Sequence, residues 1–255
     1  MRKSARKRVG RPPIGVGAAA PLSREHVLKK ALELIDHRGL GAFNMRDLAK
    51  ALGVFPTAVY WHVPSRLELI AGVVELAMST FVTVPIGEPW QARLRHVLYR
   101  FREVLHRHPG LAPVVATGLV SNITVDAQRM DQVILALEDA GFTGSGLVDA
   151  YNVVIAAMCG FATLELSSVP KEETESWEAS CRSQIDAIDK YRWRGLARHA
   201  KALRNNAFML RWSSGTEKPL EKSFDAWVDV VIRGLEERAR AQESGATRRT
   251  RKVSR

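Results

Sequence analysis

Three ring side chains stand consecutively at Tyr60-Trp61-His62, inside the stretch NMRDLAKALGVFPTAVYWHVPSR over residues 44–66. A phenol hydroxyl, an indole N–H and an imidazole N–H are rigid donors that suit phosphate oxygens. Arg46 and Arg66 bracket them with guanidinium forks, which can hold a phosphate or the O6 and N7 of guanine. Thr57 and Ala58 stand just ahead, where a hydroxyl and a methyl can meet base edges and thymine methyl groups. On a helix, three consecutive side chains spread over most of the circumference, so they cannot share one core. Val59 and Val63 are then expected to face inward while the rings splay outward. The competing reading packs the three rings in a core or a domain seam.

The elements that must hold these groups are written in the surrounding residues. Asn44 is a helix N-cap with Asp47 three positions on, and Met45, Leu48, Ala49 and Leu52 make an apolar stripe behind it. Gly53 ends that helix, and Phe55-Pro56 breaks the chain before a very short helix over 57–62. Pro64 stops it, and Ser65 with Glu68 opens another helix running to about residue 81. Upstream, Ser23 caps REHVLKKALELIDHR, and Gly39 closes it. Two short helices joined by a glycine turn have the spacing of a helix-turn-helix. In that motif the second helix offers its N-terminal residues to base edges in the major groove.

Charge supports a polyanionic partner. The 255-residue chain has a formal net charge of +11, and residues 1–24 hold seven Arg and Lys with no Asp or Glu. The VGRPP stretch in that arm resembles an AT-hook core, although loose phosphate contact by a flexible arm explains it as well. The stretch after residue 243 is again basic. Cys159 and Cys181 are the two cysteines, and no Cys/His spacing suggests zinc. The segment 150–164 is apolar and uncharged but too short to span a bilayer. The broken apolar run near the N-terminus makes a poor secretion signal. A cytoplasmic protein without a membrane partner is expected.

Beyond residue 83 the pattern is helical almost throughout. The fold class expected is all-α: an arm (1–21), a three-helix head carrying the helix-turn-helix (22–82), a larger helical domain (83–242) and a flexible basic tail (243–255).

Residues 23–81 resemble the N-terminal DNA-binding domain of the TetR family of bacterial repressors. The resemblance runs through ALELIDHRGL, MRDLAKALGV and VYWHVPSRLELI, and continues more faintly in CGFATLEL and FDAWVDVVIRGLEERA. It implies that Arg46 contacts base or phosphate, that Thr57 and Ala58 read bases, that Tyr60, Trp61 and His62 clamp phosphates, and that Arg66 adds a phosphate contact. It implies a homodimer on a palindromic double-stranded DNA operator, released by a small-molecule effector. Where tetracycline repressors are more polar, this chain has Phe55-Pro56-Thr57-Ala58, so a different operator is expected. Their polar and metal-binding positions fall on Val97 and Val114, so neither a magnesium–tetracycline chelate nor a cofactor is expected.

The effector is then largely apolar, with Phe101, Val114, Met130, Ile134, Asn152, Met158 and Phe161 as candidate lining residues; each also reads as ordinary core. Leu147 and Val154 on one long helix, and Trp227, Val231 and Leu235 on the last, form stripes suited to a four-helix dimer bundle. Intramolecular packing is the alternative for those stripes. Trp177 and Trp193 suit either a flap or a dimer surface. An enzyme is not expected: no nucleophile elbow, phosphate loop or metalloprotease motif occurs, and His106 and His108 point to different sides of a helix. The other function left open is a sequence-indifferent architectural DNA binder.

Overall fold

The computed structural model describes residues 22–79, 87–118, 127–167 and 174–253. The basic arm (1–21) lies outside the described residues. Those described are helical with no strand: α1 (Arg24–Arg38), α2 (Met45–Ala51), α3 (Pro56–His62), α4 (Arg66–Met78), α5 (Trp90–Arg107), α6 (Ala112–Gly118), α7 (Ala127–Asp139), α8 (Gly144–Glu165), α9 (Thr174–Asp186), α10 (Arg194–Leu203) and α11 (Glu221–Val253). Among the described residues, the 3₁₀ turns Pro109–Leu111 and Phe208–Leu210 interrupt the connections.

The head forms where its caps say it should. Ser23, Asn44 and Ser65 accept the N–H groups of His26, Asp47 and Glu68 at 3.1, 2.9 and 3.1 Å, each satisfying a donor that the helix start would leave unpaired. Gly53 turns the chain between α2 and α3 with φ of 67°, a conformation that disfavours any residue with a Cβ. Val27, Ala31 and Ile35 of α1, Leu48 of α2, Val59 of α3 and Leu69 of α4 meet in one buried core.

That core continues into the larger domain, where α8 packs against α5, α6, α7 and α11. One connection is resolved here and two expectations change. The stretch from Glu175 to Leu203 is two helices, because Asp189 accepts the N–H groups of Tyr191 and Arg192 at 2.8 and 3.1 Å and folds the chain into a turn. The expected flexible tail is helical to Val253, continuing α11 through Ala, Arg and Lys residues that are good helix formers. The apolar segment ending at Glu165 begins at Gly144, so at 22 residues α8 is long and apolar enough to cross a membrane by length and composition. Its contacts with four other helices give it a place in a protein core.

Candidate nucleic-acid interface and effector domain

Helix α3 is turned by one anchor. Val59 is fully buried and Val63, its C-cap, nearly so, which leaves the rest of this short helix facing out. Trp61 is 87% exposed and Tyr60 44% exposed, while His62 is half-buried. Thr57 is exposed and Ala58 half-buried. Arg46 projects from α2 into solvent, and Arg66 at the start of α4 donates to the Leu40 carbonyl at 3.4 Å. The head thus brings these seven sequence-derived positions onto or beside one helix-turn-helix unit, and no ring of Tyr60-Trp61-His62 is fully enclosed. Phe55, 82% exposed, stands at the N-cap of α3 and extends the same surface. Its signal was a large apolar residue beside a turn proline.

The residues of the expected dimer stripe divide by burial within the chain. Val154 is 0% exposed, Leu235 1% and Val231 8%, so these three fill the seam between α8 and α11 of one chain. Leu147 is half-buried against the same core. Trp227 alone of the five remains on the surface, its indole N–H donating to the Ala157 carbonyl at 3.3 Å. The outward apolar residues are instead Val148, Val153 and Leu164 on α8 and Val230 beside Trp227 on α11. Helix α8 is apolar nearly all round, so periodicity could not choose its inner face.

The candidate effector residues divide likewise. Phe101, Val114 and Phe161 are buried, and Ile134 and Met158 are half-buried. Phe101, Met158 and Phe161 share one core. Met130 and Asn152 are exposed; Asn152 lies one turn from Val148 and Ala156 on the outer side of α8 and does not line an interior site. Trp177 is half-buried on α9 and Trp193 exposed ahead of α10.

Sequence reasoning missed the main polar feature of this domain. Glu165, fully buried at the end of α8, receives Arg102 Nε and Nη2 at 2.7 and 2.8 Å, contacts His106 Nε2 at 2.9 Å and accepts the Leu220 N–H at 2.6 Å. Arg102 Nη1 reaches Glu221 at 2.7 Å, and its guanidinium lies 4.6 Å from the Phe224 ring centre. Tyr99 and Phe161 meet Phe224 edge-on at 5.0 and 5.3 Å, and Phe208 meets Phe161 at 5.1 Å. Burial pushes the Glu165 carboxyl up, but the donated hydrogen bonds from Arg102, His106 and Leu220 outweigh it and hold it at about 2. The cluster joins α5, α8, α11 and the segment before α11. A lone carboxylate closing a long apolar helix was its only sequence signal. On the neighbouring helix face, burial pushes the Cys159 thiol up to about 12, which leaves it unreactive.

Among the described residues, contacts between the head and the larger domain include those at Gly110, His108 and Arg129. A Cβ on Gly110 would lie 2.5 Å from the Ile35 carbonyl oxygen, so the 3₁₀ turn presses on the end of α1 as only glycine allows. Beside it His108 Nδ1 is 2.8 Å from Asp36. At the other end, Arg129 of α7 donates to the Met78 carbonyl of α4 at 2.7 Å. Among the described residues no group of three His, Cys, Asp or Glu is placed to hold a metal ion.

Residues 27–73 match the family of bacterial regulatory proteins called tetR, and residues 85–239 match the tetracycline repressor-like C-terminal domain. The chain is 39% identical over 92 residues to the class D tetracycline repressor protein of Escherichia coli, covering 35% of this chain and 42% of that protein. The fold resembles Streptomyces coelicolor ActR in complex with (S)-DNPA, at 19% identity and a TM-score of 0.64 over 86% of this chain and 100% of ActR. It also resembles BioQ bound to its double-stranded DNA operator, at 25% identity and a TM-score of 0.53 over 65% of this chain and 96% of BioQ.

Proposed function

The chain belongs to the TetR family of bacterial regulatory proteins, and from that premise we propose that it is an effector-released repressor acting as a homodimer on a palindromic operator in the cytoplasm. One observation carries the reading: α3 is anchored by Val59 and keeps Tyr60 and Trp61 uncovered, beside exposed Thr57, Arg46 and Arg66. A buried anchor with exposed donors is what a groove-reading helix requires. Tyr60, Trp61, His62 and Arg66 hold phosphates. Thr57, Ala58 and Arg46 meet base edges.

The dimer forms through the outward faces of α8 and α11. Val148, Val153, Leu164, Trp227 and Val230 are large apolar groups exposed on two adjacent packed helices, and burying such a face is the common reason to keep it. Two heads must then dock about 34 Å apart, one helical turn of DNA. An effector favouring another head separation lowers DNA affinity by its differential affinity for the two states. The effector is largely apolar and enters among Phe101, Val114, Ile134, Met158 and Phe161. Val97 and Val114 are both buried aliphatic groups, which disfavours a metal chelate. Its movement reaches the head through the Gly110–Ile35 and Arg129–Met78 contacts.

Selection of bound sequences from a random DNA pool tests the proposal. The expected result is an inverted repeat with half-sites one turn apart. Recovery of unrelated sequences bound equally well would instead identify an architectural binder.

A further inference from the structure

We propose that the segment around α10 is a second, sequence-indifferent contact to the backbone of the DNA that the heads hold. The inference rests on the regulator reading above. Lys190, Arg192, Arg194, Arg198 and Lys201 are exposed, and among the described residues none has a carboxylate within ion-pair distance. The acids nearest in sequence are already engaged: Asp189 caps its own turn, and Asp186 pairs with Arg204 at 2.9 Å.

The face of α10 selects among polyanions. Ala197, Ala200 and Leu203 are half-covered and lie on one side of the helix together with the exposed Leu196, whereas Arg194, Arg198 and Lys201 share a neighbouring, exposed side. A membrane-surface helix would leave its apolar side free for lipid. This one has that side half-covered at Ala197, Ala200 and Leu203, with Leu196 37% exposed, and it presents three cations together outward, which suits phosphates. The three cations span about 10 Å at 1.5 Å rise per residue, and one DNA strand offers a phosphate about every 3.4 Å of axis. About three phosphates therefore match the stripe. Tyr191, 89% exposed, and Trp193 stand at its head and can donate to the same oxygens.

Placement agrees. The segment is pinned at Glu165, which accepts the Gly215 N–H at its carbonyl, 2.9 Å, and the Leu220 N–H at its carboxylate. Glu165 touches His106, and two residues on His108 touches Asp36 of α1. The C-terminal end of the segment, at Gly215 and Leu220, is thus fixed at the end of the larger domain that meets the head.

The test is the full chain carrying R194Q/R198Q/K201Q, titrated by fluorescence anisotropy with the duplex selected above at several salt concentrations. These side chains are exposed, so folding should survive, and circular dichroism checks it. A control with the same charge loss elsewhere, K218Q/K222Q/R240Q, removes the effect of net charge. The expected result is binding about tenfold weaker or more near 0.1 M salt, with the log–log salt slope falling by about 0.9 per lost phosphate contact and base preference unchanged. Wild-type affinity and slope in the triple variant, or equal losses in the control, overturn the proposal. So does loss of pelleting with phosphatidylglycerol vesicles alone, or of dimerisation alone. Failure of the regulator reading is separate: wild-type protein would then show no preference between the selected and scrambled duplexes.

Discussion

The reading helix and the Arg102–Glu165 cluster treat polar chemistry in opposite ways. On α3 the Tyr60 and Trp61 donors are uncovered and, among the described residues, no hydrogen bond closes them off; around Glu165 every carboxylate oxygen is engaged and the side chain is fully buried. The first arrangement is incomplete without a ligand. The second is complete without one, and its role is to fix α5, α8 and α11 relative to each other. A surface for recognition and a structural ion pair differ in what they lack.

The sharpest way to break that contrast is Glu165→Ala. It strands a buried guanidinium, and loss of one partner of a buried pair costs about 3–5 kcal/mol; urea unfolding measures it. Glu165 also predicts an acid limit. Its folded pKa of about 2 lies below the ordinary carboxyl value of 4.5, so its contribution is fully present above 4.5 and is lost as pH falls toward 2. Stability of wild type should fall across that window more steeply than stability of Glu165→Gln.

The dimer faces proposed on α8 and α11 supply a second pair. Leu235→Ala empties a core position and should cost about 2–5 kcal/mol, with the dimer otherwise preserved. Val230→Glu, on the exposed side of α11, should shift sedimentation toward monomer while each chain keeps its helical content. Reversal of these outcomes would restore the stripe first expected from periodicity.

Gly110→Ala is smaller in energy, about 1–3 kcal/mol from overpacking against the Ile35 backbone. Its larger effect is on coupling between domains. Operator affinity should change although residue 110 touches no DNA, and anisotropy against the selected duplex reads this directly.

The difference between the regions also decides what the sequence could reveal. In the head, caps, stripes and turn residues are local, so Ser23, Asn44, Ser65 and Val59 were legible from a few neighbours each. The cluster joins Arg102 to Glu165, separated by 63 positions, and no local period records such a pairing. Helix α8 hid its orientation for another reason. Val153 and Val154 are equally apolar, and only the surrounding helices make one exposed and the other core. Asn152, polar within that apolar run, suggested a lining residue yet faces outward. The α9–α10 break depended on one Asp189 turn within a polar stretch, where apolar periodicity is weak.

The smallest stability effect carries the most functional weight. Trp61→Ala removes a ring that is 87% exposed, so thermal stability should stay within about 0.5 kcal/mol of wild type. Equilibrium titration of this variant with the selected operator, beside wild type at one salt concentration, tests the recognition surface most directly. The account predicts binding weakened by at least about tenfold, the equivalent of about 1.4 kcal/mol, with folding intact. Wild-type affinity in the folded variant would contradict it.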